Sequence, residues 1–452
     1  MIHYNDPSEQ AENALLNALK TLKISQLLRK AGIRKAQGAP VSKVFNFLFL
    51  LVFRGKNLFR IIDSQQSDEA HSKNTYYRFL NKATYAWRRF LHFLSLQVVN
   101  SFRRLTDSNR VNVLILDDTV IKRNCSKHVE LLARVYDHTS HSFLKGFTML
   151  ALGWSDGYST VPVDFAMLSS NQESNRYQEI SSDIDKRCHG YKRRKEAIGR
   201  KPDIAFQMVQ NALEQGFNAD YLLMDTWFTH EPLVKRVKDE GLDVIGMVKD
   251  LKQRYSYNGQ EYTLKKLKLF LPKKGSGDIL GSIIVSIKNG LPVKIVYVKN
   301  RNNKKYWLTL LCTDLTLSNE EIVRIYGNRW GIEVFFKSTK SLMKLGREFQ
   351  GRSYDMMISH TTIVFTRYIL LEWLRRNEND PKTLGGLFYH YSDDIQDMDL
   401  KTALQSLMNL FIKYLNNLHI DCKKTIESQL QHWIGQQASY IKALFADLAW
   451  ES

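Results

Sequence analysis

Cysteine is almost absent from this chain, and what there is does not pair. The four residues, Cys125, Cys188, Cys312 and Cys422, lie far apart with no CxxC spacing. That argues against a zinc module and a disulfide framework and fits a reducing compartment. Cys188 beside His189 is read as an ordinary thiol next to a loop histidine, since one such pair cannot complete a metal shell. Long apolar runs are missing too. The most apolar stretch, residues 44–53, is about half the length a membrane span needs and is expected as a buried helix. The first residues, MIHYNDPSEQ, lack a basic segment followed by an apolar core, so no secretory leader is expected. The expectation is a cytoplasmic protein, in the cytosol or nucleoid, with no membrane partner. No internal repeat or low-complexity block stands out.

Acidic residues are in short supply. Asp and Glu total 46 against 65 Lys and Arg, a formal net charge of +19 and a pI near 9.5. Such an excess favours polyanionic partners, because each neutralised phosphate releases a counterion. Nucleic acid is the first candidate.

What is present falls into regions. Residues 11–105 repeat apolar side chains at three-to-four spacing, as helices do, and Arg29, Lys30, Arg34 and Lys35 crowd a polar link at 31–40. Residues 1–105 are therefore expected to form a helical region suited to binding DNA ends. At residue 111 the texture changes. The β-branched run 111–116 resembles a central strand covered on both faces and ends in Asp117-Asp118-Thr119. Strands are expected at 143–154 and 160–168, then an irregular basic tract at 186–201 that follows DNA backbone, and a helix at 204–215. A further apolar strand, 221–224, again ends in an acid, Asp225. A helix near 233–240 and a strand at 242–248 complete an alternating α/β pattern. Residues 250–314 instead carry short strands with Asn258-Gly259 and Asn289-Gly290 between them, both strong hairpin signals. From Asn319 the pattern is helical. The expected division is 1–105; a catalytic α/β unit of 106–249 plus 315–380; a β-rich insertion, 250–314; and a helical C-terminal region, 381–452.

Carboxylates at the ends of buried strands sit on rigid supports where a metal can be held. An aspartate there also commonly caps the following turn, so neither strand end alone identifies a site. The segment 326–340 adds a third acid. At about 100° per residue, Tyr326, Arg329, Glu333, Lys337 and Lys340 share one stripe, while Ile332, Phe335, Leu342 and Met343 lie on the other side. An acid ringed by an aromatic and several cations suits joint contact with metal and phosphate.

The spacing Tyr326-x2-Arg329-x3-Glu333-x6-Lys340 resembles the signature of the insertion-sequence family four group of DDE transposases. Residues 116–119 and 223–228 resemble that group's first and second catalytic motifs, and a β-rich insertion between the second Asp and the Glu is a further likeness. The resemblance implies a ribonuclease-H-like catalytic domain in which two Mg²⁺ ions, or Mn²⁺ in their place, bridge three carboxylates and the scissile phosphate. It implies binding of double-stranded DNA, at inverted-repeat ends and at the target, by a homodimer that cleaves and joins strands. By position Asp225 and Glu333 match the second and third acids, and Tyr326, Arg329 and Lys340 the phosphate contacts; Lys337 joins these through its place on the stripe. The first acid is Asp117 or Asp118. Successive strand residues point to opposite faces, so one of them reaches the metals, and Asp117 is preferred. Some members of the group cut through a DNA hairpin with a flipped base; Trp307, Trp227, Tyr306 and Tyr257 are candidates to stack on it. Two other readings share these features: a catalytically inactive, transposase-derived DNA-binding regulator, and another ribonuclease-H-like metal nuclease.

Overall fold

The computed structural model describes residues 7–59, 71–105, 110–251, 253–271, 277–288, 290–300, 306–348, 351–377, 382–393, 395, 404, 408, 428 and 431–436. Most of the expected C-terminal helical region, including Cys422, lies outside the described residues, as does Asn289.

The chain opens with helices, among the described residues α1 (Pro7–Thr21), α2 (Ile24–Lys30), α3 (Val41–Leu50), α4 (Lys73–Leu80) and α5 (Trp87–Arg103). The apolar stretch near residue 44 forms a buried helix as expected, with Val44, Phe45, Leu48 and Phe49 inaccessible to solvent.

The sheet follows. Strand β1 (Val113–Lys122) pairs antiparallel with β3 (Ser142–Ser155), which β2 (Ala133–Asp137) and β4 (Thr160–Leu168) flank along one edge. Helices α6 (His189–Ala197) and α7 (Lys201–Glu214) lead to β5 (Tyr221–Met224), and α8 (Glu231–Asp239) leads to β6 (Asp243–Val248). Strands β1, β5 and β6 run parallel to one another. The resulting order β4-β3-β1-β5-β6, an antiparallel meander followed by two parallel strands reached through helices, is the ribonuclease-H-like arrangement. A two-residue turn joins neither parallel pair; each crossover needs a helix, which is why helices punctuate this half.

The insertion is β-rich and continuous with the same sheet. It comprises β7 (Tyr255–Tyr257), β8 (Gln260–Tyr262), a one-turn helix α9 (Leu264–Leu267), β9 (Ile279–Ser286), β10 (Pro292–Lys299) and β11 (Trp307–Cys312). Strand β11 pairs antiparallel with β6, so eleven strands form one sheet. The Asn258-Gly259 turn joins β7 to β8 with both residues at positive φ, 49° and 77°. Helices α10 (Asn319–Gly327), α11 (Trp330–Ser341) and α12 (Tyr354–Asn377) follow the insertion, and residues 384–393 are helical again. A single hydrophobic core runs from Leu15 through the sheet to Ile395.

Three local expectations are corrected. The first strand continues past Asp117 to Lys122, because β3 goes on pairing with it after β5 has ended at Met224. The tract 186–201 is not wholly irregular: α6 occupies its middle, and Arg193 and Arg194 are 7% and 3% exposed. Those two arginines are ion-paired inside the protein, to Glu196 and to Glu130 and Asp355, so they do not follow a DNA backbone. The stripe 326–340 is two helices, broken at Asn328–Arg329. There the backbone N–H groups of Asn328, Arg329, Gly331 and Ile332 bond three residues back rather than four, tightening the turn.

Candidate active site

The parallel register explains how Asp117, inside β1, and Asp225, just past the end of β5, meet. Leu116 of β1 lies opposite Met224 of β5, so Asp117 and Asp225 are each one residue beyond neighbouring strand positions. Asp225 leaves its strand for a turn that its carboxylate organises. Its Oδ1 accepts the N–H groups of Trp227 and Phe228 at 2.9 and 3.2 Å, and its carbonyl accepts the Thr229 hydroxyl at 2.6 Å. The bland capping role is therefore real for Asp225, and it leaves Oδ2 uncommitted among these bonds. Gly246 on β6 makes room for that turn, since a Cβ there would lie 2.2 Å from Thr229 Oγ1. Nothing in the sequence motif pointed to this glycine.

Helices α10 and α11 bring the third acid. The Arg329 guanidinium sits between carboxylates, donating to Asp117 Oδ2 at 3.1 Å and to Glu333 one turn along. Tyr326 donates its hydroxyl to the Met224 carbonyl at 3.3 Å, at the end of the strand that carries Asp225. Lys340 reaches Thr119 Oγ1. Thr119 and Asp117 are two apart on β1 and so share a face, and the α10–α11 stripe covers that face. Asp118 points the other way, with Lys201 Nζ at 2.6 Å. Lys201 in turn lies over Trp227, 3.6 Å from the ring centroid. Of the four candidate acids, then, Asp117, Asp225 and Glu333 converge around Arg329 and Tyr326, whereas Asp118 belongs to a neighbouring cluster.

The electrostatics follow the same division. Burial pushes the Asp117 carboxyl up to about 7; Arg329 opposes this and the Asp225 charge adds to it. Burial also raises the Tyr326 phenol, with Asp225 and Asp117 adding and Arg329 opposing. Burial lowers the Lys340 ammonium. For Arg329, burial disfavours the charge but Tyr326, Asp117 and Glu333 outweigh it, so its pKa is raised. A site whose acid is partly neutralised by desolvation and a like charge is one that a cation would relieve.

The remaining candidates divide. Lys337 is exposed on α11. Trp227 is 40% exposed and adjoins Asp225 through its turn. Trp307 packs within the insertion, its ring 5.2 Å from Tyr297. Tyr257 lies 5.5 Å from Phe270, and Tyr306 is exposed. Lys201 closes the basic tract expected to follow DNA backbone; its pairing with Asp118, across 83 positions, was not part of that expectation.

Two family models match the chain: DDE superfamily endonuclease over residues 49–257 and Transposase DDE domain over residues 203–369. The first spans the strands bearing Asp117 and Asp225, and the second spans Asp225 and Glu333. A comparison with curated proteins finds no match. Among solved structures the chain is similar to the Drosophila P element transposase strand transfer complex, at 10% identity over 94% of this chain and 93% of that one, with a TM-score of 0.22. The fold assignment rests on the strand order described above.

Proposed function

We propose that this chain, whose family matches support a DDE transposase, binds the inverted-repeat ends of an insertion sequence and carries out metal-dependent cleavage and strand transfer. The finer likeness to the insertion-sequence family four group belongs to this proposal, as do the roles of individual residues. One observation carries it: Arg329 bridges Asp117 and Glu333 while Asp225 bears on the same carboxyl.

Among the described residues no three His, Cys, Asp or Glu side chains already stand together as a ready ion site. The residues nonetheless fit a hard divalent cation. The donors are all carboxylate oxygens, which suit Mg²⁺ or Mn²⁺, and Asp117, raised chiefly by burial with Asp225 adding, is an acid whose charged form a cation would favour. Asp117, Asp225 and Glu333 would hold two ions once Arg329 turns its guanidinium from the acids to the phosphate. Bound ions would supply an activated oxygen nucleophile and a stabilised leaving oxygen for in-line displacement. The protein's own part is to orient. Arg329 would grip the scissile phosphate, with Lys340 held ready by Thr119 and exposed Lys337 beside it. Tyr326 would set the distance between α10 and the end of β5.

Double-stranded DNA is the partner this charge suits, and a homodimer on DNA would place one site at each end. The free Cys125, Cys188 and Cys312 are consistent with action in a reducing cytosol. No described helix is long and apolar enough to cross a membrane.

The test is an end-cleavage assay with Mg²⁺ and DNA carrying the repeats that flank the reading frame. Wild type should release and join the ends, while Asp225→Asn and Glu333→Gln should bind but not cut. Full cleavage by Glu333→Gln would overturn the assignment, and a wild type that binds the ends without cutting would mark a regulator instead.

A further inference from the structure

On the Asp118 side of the site the chain carries a surface that the acids do not explain. Strand β2 and the start of β3 form a two-stranded ribbon in which Arg134 lies opposite Lys145 and Tyr136 opposite Phe143. Opposed residues, and residues two apart, share a face, so all four side chains stand on one face. The alternate positions Ala133, Val135 and Asp137 are buried beneath them. On the outer face Tyr136 and Phe143 are 38% and 58% exposed, an aromatic pair 5.1 Å apart held in solvent.

Cations interleave with these rings. Arg134 lies 4.1 Å from the Phe143 centroid and Lys145 lies 4.8 Å from that of Tyr177, itself 46% exposed. The face continues into a cleft of about 390 Å³ whose walls include Arg134, Tyr136, Asn171, Arg200, Lys201 and Trp227. Among the described residues no acidic one lines it. Through Lys201 it adjoins Asp118, one residue from Asp117. Its volume falls within the range of about 300–1,000 Å³ typical of small-ligand pockets.

We infer that this ribbon face and cleft form a binding track for unpaired DNA, taking the single strand beside the cleaved bond. Arg134, Lys145 and Arg200 meet its phosphates, and Phe143, Tyr136 and Trp227 stack on its bases. Duplex backbone is the weaker fit. It offers phosphates to the cations but keeps its bases stacked inside, leaving the exposed rings unused; alternating cations and aromatic faces suit unstacked bases. This rests on the proposed function, because cleavage and joining are what leave an unpaired strand at this position.

The experiment is fluorescence anisotropy of the full chain with a short labelled oligothymidylate and, separately, a blunt duplex. The double variant Tyr136→Ala, Phe143→Ala should lose about tenfold or more in oligothymidylate affinity, the scale of base–aromatic stacking. Its duplex affinity should change less than about twofold, because its cations remain. Both positions are exposed, so the melting temperature should hold, and Phe143→Trp should retain single-strand binding. Unchanged oligothymidylate affinity, or an equal loss on both DNAs, would overturn the inference. If wild type cuts its ends while the double variant keeps its single-strand affinity, this inference alone fails. If wild type never cuts yet the double variant loses single-strand affinity selectively, the track stands and the transposase reading falls.

Discussion

Asp117 and Asp118 are neighbours in sequence and sit in different environments, and the difference sets what each can do. Asp117 faces Arg329 at 3.1 Å, with burial and Asp225 raising its pKa to about 7; Asp118 is held by Lys201 at 2.6 Å. Asp117→Asn should therefore abolish end cleavage, losing a hundredfold or more, a scale reached when one charge-stabilising group is removed, while DNA binding persists. Asp118→Asn should slow it only a few-fold, by loosening Lys201 over Trp227. Single-turnover cleavage rates compare the two, and a dead Asp118→Asn beside an active Asp117→Asn would reverse the assignment. The sequence displayed an acid at the end of an apolar run, and strand periodicity said that one of the pair faces inward. It could not say which, because the face is defined by Arg329, 212 residues away. The pairing of Lys201 with Asp118, 83 positions away, was hidden for the same reason. The Asp225 motif and the Tyr-Arg-Glu-Lys spacing could be read because each is local in sequence, the first a strand end with its turn and the second two consecutive helices.

Helix α11 carries Glu333 by resting its first turn on β4. A Cβ at Gly331 would lie 2.2 Å from Thr160 Oγ1, so the helix can approach that closely only with glycine there. Gly331→Ala should push α11 off the sheet, cost about 1–3 kcal/mol of stability as overpacking does, and lower cleavage at least tenfold. Adding Thr160→Ala should recover much of both, read from thermal melts and cleavage rates; a wild-type Gly331→Ala would show that the contact yields freely. A helical wheel treats 326–340 as one cylinder, and it found the right stripe while missing the break at Asn328–Arg329. Periodicity registers which side is apolar, not how near a strand approaches. Helix α12 offers a second element-scale test. Its buried His360 accepts the Gly346 N–H at Nε2, 3.2 Å away, which requires a neutral ring with the proton on Nδ1 toward Glu348. Burial, with Arg367 and Arg123, lowers its pKa to about 3 from the ordinary 6.5. The unfolded chain therefore takes up a proton, between those values, that the folded chain refuses. The stability contributed by neutral His360 is full above about pH 6.5 and drains as pH falls toward about 3. His360→Gln does not titrate, so its deficit in melting temperature against wild type should be largest near neutral pH and shrink on acidification. A deficit independent of pH would mean that His360 is not the titrating group.

Across the whole molecule, charge and texture overstate how separable the parts are. The +19 balance includes Arg88, Arg194 and Arg367, yet each is committed inside the protein: to Asp164 and Glu196, to Glu130 and Asp355, and to Glu348. A charge count cannot separate such cations from those that meet solvent, and burial could not be read from the sequence for partners 19 to 161 positions apart. The change in pattern at residue 111 likewise marks where helices give way to strands, while the packing runs straight across it. Ser95 of α5 donates to the Pro162 carbonyl at 2.7 Å, and Arg367 of α12 donates to the Phe49 carbonyl at 2.9 Å. Asp164 is wholly buried; desolvation alone would raise its pKa, but Arg88 and His92 hold it well below the usual carboxylate range. Removing residues 1–105 would strip Arg88 and His92 from that carboxylate and bare one side of β4. Breaking a buried pair by deleting one partner costs about 3–5 kcal/mol, a large share of the roughly 5–15 kcal/mol by which domains are stable. A chain beginning at residue 106 should therefore be insoluble or melt without cooperativity, and Arg88→Ala in the full chain should lower the unfolding midpoint in denaturant by an amount matching about 3–5 kcal/mol. A soluble 106–452 fragment with a sharp thermal transition would refute this and restore the helical region as a detachable module. If the fragment fails as expected, DNA ends engaged by these helices would act on the same rigid body that carries Asp117 and Glu333, and end recognition would be mechanically tied to the cut.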